Sequence, residues 1–528
     1  MAVPRIASRA LVGALVATIC TAGEAPTRRR RVPPFKVLFS NDTTNICSCV
    51  SPYHKKRDPF RPEMLQATVD EATGVDVHML QPGLGWIPWW KSREYPADEH
   101  CRRWMERTGL KPDSFHQYML GGGDLVKVFV QRCRAKGVAP FVSLRLNDGH
   151  HLENAGAKSR RSIWVSRFYE EHPGYRIGAN KRSWDERVLN WAAPEVRAHK
   201  LAFVRELCEQ YDIEGFELDF MRHASLFRLA DTTAQQRRRI VAGFVAEVRA
   251  ILDRTATPGR RRWLCARVPC LLEFHGRLGI DLPAMVEAGL DMVNLSPYYF
   301  TQQHHDLAKI RTLVPEAAVY LEMTHCTTTG PSRGGYDSFS YRRTLDEQFY
   351  TTAHVAYRRG ADGVSLFNFV YFREHGTPGR GPFTEPPFHV LKRLGDPAWL
   401  ARQPQSYVLA KAWHTALPKR FSKGDTHTFG LDMAPTEHQK RDGLFRLMTL
   451  EDSGQCRWTV ALNGTELRPT AFVRKPLPHP YEAALGQASQ YACFDCPRGL
   501  VRDGPNRVAL TLTAGGPATA TYLEVILP

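Results

Sequence analysis

The chain has 528 residues, 43% of them hydrophobic and 24% charged, which is a soluble globular composition with room for a large core and more than one domain. No segment beyond the N-terminal leader approaches the ~18 apolar residues a membrane span needs, and no low-complexity tract or long internal repeat is present. The formal net charge of +17 keeps anionic partners in view, nucleic acid and acidic or sulfated polysaccharide alike, beside the plainer reading of a scattered solvated surface.

Residues 1–33 open the chain as a leader. Arg5 and Arg9 precede an apolar run from Ala10 to Cys20, and small residues follow around Thr21 to Gly23. That layout predicts a secretory signal peptide cut after Ala22, and hence a secreted or periplasmic protein. The run is short and only mildly apolar, so a disordered tail is the alternative. "TRRRRVPP" (27–34) then reads as a basic linker. Of the 12 cysteines, Cys20 would leave with the leader. Cys47/Cys49 and Cys493/Cys496 are close pairs, but their spacings fit no standard zinc ribbon; local disulfides or buried free thiols are expected.

From Phe35 to about Arg402, short apolar runs alternate with longer amphipathic ones. The apolar runs are "FKVLFS" (35–40), "VDVHMLQ" (75–81), "APFVSLRLN" (139–147), "GFELDF" (215–220), "WLCARVP" (263–269), "MVNLSPYYF" (292–300), "AVYLEMTH" (318–325) and "GVSLFNFVY" (363–371). Helical spacing of apolar residues is clearest over 193–211, with 235–252 and 342–360 similar, the last stopped by Gly360. Strands alternating with helices argue for a parallel sheet, and eight of them predict a (β/α)8 TIM barrel over residues 34–402. This exceeds the typical ~250 residues; the excess falls after strands two, three and eight, in loops of the face where barrel enzymes keep their sites.

After Gln403 the texture changes. "RLMTLEDSG", "CRWTVALNGTEL", "GPNRVALTLTAG" and "TYLEVILP" alternate apolar and polar residues with turn residues between. Residues 403–528 are therefore predicted to form a C-terminal all-β sandwich domain, which would bind glycan or brace the barrel.

The stretch "IEGFELDFMRH" (213–223) carries two carboxylates in an otherwise hydrophobic strand. Strand side chains alternate faces, so Glu217 and Asp219 share one face and Phe216, Leu218 and Phe220 the other. The same alternation gives Ser143, Arg145 and Asn147 one face in strand three, Arg267 in strand five, Asn294, Ser296 and Tyr298 in strand six, and Tyr320, Glu322 and Thr324 in strand seven. In a barrel that polar face points inward, and its upper residues reach the mouth. Paired carboxylates suit attack on an acetal, and glycoside hydrolysis places one on each side of the scissile bond. Asp219, at its strand end, and Glu322, three strands further round, are the expected catalytic pair, with Arg222 or Arg145 holding Asp219 ionised. Glu217 lies deeper, as a structural partner of Arg145 or Arg267 or as a substrate contact.

Sugar sites also need flat apolar walls, and "GLGWIPWW" brings Trp86, Trp89 and Trp90 together on the loop after strand two. Trp164, Tyr169, Tyr298, Tyr299 and Tyr371 also follow strands. Histidines cluster at His150/His151, His223, His304/His305 and His325, but no HExxH or comparable metal-ligand spacing occurs, and no GxxxxGK[ST] is present.

"NWAAPEVRAHKLAFVRELCEQYDIEGFELDFMRH" (190–223) resembles the glycosyl hydrolase-like family 10 group of barrel proteins, in which a "pevr" helix leads into a "D-G-I-x-x-D" strand near the active site. Asp219 matches the strand-end acid, while Glu214-Gly215 stands where the group has Asp-Gly. "SRFYEEHPGYRIG" (166–178) resembles the loop before that helix. The resemblance spans Val32 to Arg402 and implies action on, or binding of, carbohydrate.

The expectation is thus a glycoside hydrolase with Asp219 and Glu322 catalytic. Arg145, Asn147, Glu217, Arg222, Asn294 and Tyr298 would orient the substrate, and Trp86, Trp89 and Trp90 would stack on it. Neither metal nor cofactor is expected. The partner is a carbohydrate, anionic if the positive charge takes part, and not nucleic acid. A non-catalytic carbohydrate-binding barrel is the alternative.

Overall fold

In the computed structural model, the described residues are 32–41, 58–84, 86–330, 340–369, 386–412, 415–471 and 488–528. All but the last two residues of the leader, the Cys47/Cys49 pair and Tyr371 lie outside them. The eight predicted runs are eight strands: β1 (Val37–Ser40), β2 (Val77–Leu80), β3 (Ala139–Arg145), β4 (Gly215–Asp219), β5 (Trp263–Pro269), β6 (Met292–Ser296), β7 (Ala318–Thr324) and β8 (Gly363–Phe367). They pair in parallel in chain order and β8 closes on β1, forming the expected barrel. The principal helices between and after them are α1 (Pro62–Glu71), α2 (Leu125–Ala135), α3 (Pro194–Gln210), α4 (Ala234–Thr255), α5 (Leu282–Glu287), α6 (Leu307–Leu313), α7 (Asp346–Arg358) and α8 (Leu391–Leu394). α3 starts with proline at its first position, where no amide bond is lost. α4 starts on a capping box between Thr233 and Gln236.

Alternation along the strands divides the barrel interior into layers. The floor is apolar, with Leu38, Val77, Phe141, Met292 and Tyr320 in one cluster. Phe141 can cross it because the neighbouring strand offers Gly215; a Cβ there would sit 2.3 Å from the Phe141 ring. The middle layer is polar, made of Ser143, Glu217, Asn294 and Ser365 joined by hydrogen bonds. The top layer carries Arg145, Asp219, Arg267 and Glu322, all buried. Outward residues of the same strands, such as Phe216, Leu218, Val268 and Leu295, pack under the helices in the main core.

The C-terminal part is the predicted sandwich. Its strands of three residues or more are β9 (Gln405–Ala410), β10 (Lys419–Phe421), β11 (Thr426–Met433), β12 (Gly443–Thr449), β13 (Arg457–Leu462), β14 (Tyr491–Cys496), β15 (Gly504–Ala514) and β16 (Ala518–Leu527). They form one antiparallel sheet in the order β9-β16-β12-β14, with β10 also on β16, and a second in the order β11-β15-β13. Phe429, Leu431 and Val508 of one sheet and Phe445, Leu447 and Val525 of the other share a separate apolar core. Cys493 and Cys496 are buried free thiols.

The sandwich is docked on α7. Arg359, just past α7, forms ion pairs with Asp432 and Asp503 (2.6 and 2.9 Å). Gln303 donates to Ser406 O (3.0 Å) and accepts from Val408 N (2.9 Å), while Gln348 donates to the Tyr522 hydroxyl (3.0 Å). Among the described residues, no helix is long and apolar enough to cross a membrane.

Candidate active site

β5 sets Arg267 beside Asp219 of β4, and the guanidinium reaches across to Glu322 of β7. Nη1 donates to Asp219 Oδ1 (3.1 Å), while Nε and Nη2 form a fork on the two oxygens of Glu322 (2.6 and 2.7 Å). The guanidinium lies 4.4 Å from the centre of the Phe367 ring. Burial opposes its charge, but Glu322 and then Asp219 outweigh that and hold it firmly protonated. Glu322 also accepts from Ser296 Oγ (2.6 Å), so both its oxygens are taken. Burial nonetheless pushes the Glu322 carboxyl above the usual range, against the pull of Arg267. Asp219 Oδ1 accepts a second bond from Met221 N (2.8 Å), whereas among the described residues Oδ2 has only a long contact from Gln81 Nε2 (3.5 Å). The two expected catalytic carboxylates are therefore brought together on one cation, and Asp219 is the less encumbered.

One layer down, Glu217 accepts from Ser143 Oγ (2.7 Å) and Asn294 Nδ2 (3.0 Å). Burial, and then the charge of Asp219 above it, push its carboxyl up to about 7. The folded protein thus binds a proton that the unfolded chain releases near 4.5. Its contribution to stability is complete below pH 4.5 and is lost as pH rises to about 7, at up to about 1.4 kcal/mol per pH unit. Glu217→Gln should flatten that part of the profile, as urea unfolding from pH 4 to 8 would read; an unchanged slope would remove Glu217 as its source.

Several expected substrate contacts are not at the mouth. Glu217 and Asn294 belong to the buried middle layer and bond protein groups. Arg145 is buried and bonds Asp148 Oδ2 (2.6 Å) and Gln81 Oε1 (2.6 Å), so the cation bonded to Asp219 is Arg267, where Arg145 or Arg222 was expected. Asn147 pins two loops: its Nδ2 donates to Leu189 O and Ser225 O (2.7 Å each), and its Oδ1 accepts from Leu189 N (3.1 Å). Arg222 and Tyr298 remain half-buried at the rim.

The tryptophan loop corrects the stacking expectation. Trp86, Trp89 and Trp90 are 1%, 1% and 2% exposed and offer no open ring face. Trp89 packs on Phe115 and Trp164. Trp90 donates to Glu206 of α3 (2.8 Å). Lys200 of α3 lies over Trp86 (3.9 Å), and burial pushes its amine down to about 7. The loop is an inner wall against α3.

The rim has its own cluster, beyond β3 and β4. Asp148 bonds His150 Nδ1 (2.5 Å), Arg222 Nη2 faces His150 Nε2 (2.8 Å), and Arg222 Nη1 donates to the Tyr299 hydroxyl. Gly149 N donates to His223 Nδ1 (3.0 Å). His151, His223, Tyr298 and Asn368 hold left-handed φ of 62°, 53°, 64° and 67°, each past the C-terminal end of a strand. Such backbone strain gathers at functional sites. Ligand atoms of Asp148, His150 and His223 lie within 4.8 Å of one another, the spacing a metal ion could use. Their partners do not fit one. With Nδ1 on a metal, His150 would carry its proton on Nε2, against the N–H of Arg222, and His223 Nδ1 already accepts the Gly149 amide. The contacts suit a neutral His150 with its proton on Nδ1, and burial, opposed by Asp148, lowers its pKa.

Sequence reading missed Asp148, one residue beyond Asn147, because strand alternation ends there. It also missed Trp184, on the loop after β3, whose surroundings in sequence are unremarkable charged residues. Trp184 is 53% exposed, lies 3.6 Å from the Arg187 guanidinium and stacks on His223 (4.6 Å, 20°).

No protein-family model and no curated protein matches the chain, so the family 10 resemblance rests on the motifs quoted above. Solved structures do align over most of its length. α-L-Fucosidase isoenzyme 1 from Paenibacillus thiaminolyticus is 13% identical over 90% of this chain and 96% of that one, with a TM-score of 0.35. A GH29 α-L-fucosidase from Bacteroides thetaiotaomicron is 11% identical over 94% and 97%, with a TM-score of 0.37. The group IV chitinase of Ostrinia furnacalis, solved with allosamidin, is 12% identical over 68% and 97%, with a TM-score of 0.36. Likeness this distant carries no argument about chemistry, and the architecture rests on the chain's own strand pairing.

Proposed function

We propose that this protein is a glycoside hydrolase acting on a polysaccharide or oligosaccharide, with Asp219 and Glu322 as its carboxylate pair. The observation that carries the reading is the pair's placement: two carboxylates share Arg267 in the top layer of a (β/α)8 barrel, at the end where such folds keep their sites. In this reading Asp219, with Arg267 beside it and, among the described residues, only the long Gln81 contact on Oδ2, faces the positive charge that develops at the anomeric carbon. Glu322, whose carboxyl is raised, supplies the proton to the leaving oxygen after releasing one arm of the Arg267 fork. Tyr298 and Arg222 orient the sugar from the rim. Export through the leader would bring the enzyme to extracellular glycans.

The second reading is a carbohydrate-binding barrel without turnover. It is favoured by one observation: both oxygens of Glu322 are already engaged. Reducing-end release from a panel of neutral and acidic polysaccharides separates the two. The hydrolase reading expects release by the wild type and its loss in Glu322→Gln. Release that persists in Glu322→Gln would take that residue out of the chemistry. Binding of a panel glycan with no release would establish the second reading.

A further inference from the structure

We propose that Trp184 is the floor of a pyranose-binding subsite next to Asp219, with Arg222 and His150 as its polar rim. The inference builds on the carbohydrate reading above and names the part of a sugar that this region takes. Among the described residues, Trp184 is the only tryptophan with most of its surface exposed, at 53%. A single exposed apolar side chain is ordinary on a surface; the support beneath this one is not. The Arg187 guanidinium lies 3.6 Å from the indole, His223 stacks on it at 4.6 Å and 20°, and His150 meets it edge-on at 5.6 Å. Arg187 is itself buried, and Glu153 holds its Nη1 (3.0 Å) while the guanidinium lies against the indole. The indole is thereby held in one place before any ligand arrives, which lowers the ordering cost of binding.

The position is also specific. His223 and Arg222 lie four and three residues beyond Asp219 on the exit of the same strand. Arg222 and His150 bond each other at 2.8 Å and flank the platform with an N–H donor and imidazole edges. A flat apolar face bordered by hydrogen-bonding groups matches a pyranose, whose axial C–H bonds make one face apolar while its hydroxyls point outward around the ring. The class this selects is a pyranose with an uninterrupted C–H face, as in β-linked glucosyl, xylosyl or N-acetylglucosaminyl units. A ring with an axial hydroxyl on that face would stack poorly.

The test is calorimetric titration of the full chain with cellohexaose, xylohexaose and chitohexaose, using wild type, Trp184→Ala and Trp184→Phe. The expected result is that at least one oligomer binds the wild type, that Trp184→Ala weakens it about tenfold, and that Trp184→Phe recovers most of the loss. If the bound oligomer is also cleaved, KM should rise in Trp184→Ala while kcat holds. Equal binding by wild type and Trp184→Ala, or no binding of any of the three, would overturn the proposal. The hydrolase reading fails separately: Trp184-dependent binding without cleavage keeps the subsite and removes the enzyme, whereas cleavage indifferent to Trp184 keeps the enzyme and removes the subsite.

Discussion

Arg267→Met should destabilise the barrel by about 3–5 kcal/mol, the cost of breaking a buried ion pair by removing one partner. Arg267 is the common partner of Asp219 and Glu322, and it supplies three hydrogen bonds to them. Methionine matches its stem but leaves two buried carboxylates near each other with, among the described residues, only Ser296 Oγ, Met221 N and the long Gln81 contact as donors. Without Arg267 to oppose burial, Glu322 is pushed further toward the neutral form, so the loss should grow as pH rises above the carboxylate range. Arg267→Lys should fall between, because a single ammonium cannot supply the fork. Glu322→Gln added to Arg267→Met should recover part of the loss, since it removes one of the stranded charges. Urea unfolding at two pH values reads all of these. A main transition for Arg267→Met at the wild-type midpoint would show that the clamp contributes nothing to the fold.

Asp219→Asn should lower turnover by about 10²–10⁴-fold, the range for losing a positioned catalytic group. The amide keeps the shape, and its oxygen can still accept from Met221 N and Arg267, so folding should be intact. What disappears is the negative charge. A spectroscopic signature accompanies that loss: the charge of Asp219 is one of the causes that raise Glu217, so Glu217 should titrate lower in Asp219→Asn than in the wild type. Rates on whichever glycan the wild type cleaves, and carboxyl chemical shifts against pH, measure the two effects. Turnover within tenfold of wild type would end the case for Asp219.

How much of this was legible beforehand follows from what local periodicity can encode. The strands of the barrel and the inward face of each were readable, because a period of two assigns faces without knowledge of neighbours. So was the convergence of Glu217, Asp219, Asn294 and Glu322. The ion-pair partner was not. Asp219 lies in register between Arg145 and Arg267, so parity alone leaves both available. Asp148 decides the matter by taking Arg145, and its direction depends on a loop that alternation does not govern. The tryptophans failed for a related reason. Trp86, Trp89 and Trp90 sit on a loop, and loops are usually exposed, but Phe115, Trp164 and α3 close over them through contacts between segments distant in sequence.

The docking of the sandwich on α7 has a consequence for reach. An accessory module on a flexible tether searches a volume, and the tether's length sets the local concentration it gives its partner. Here Gln303, Gln348 and Arg359 join barrel and sandwich through bonds to Ser406, Val408, Tyr522, Asp432 and Asp503. A sandwich held in this way behaves as a fixed ruler rather than a roaming arm. Any glycan segment it grips would meet the barrel mouth at one spacing and one angle, so chain length, counted in sugar units, would become a selection rule.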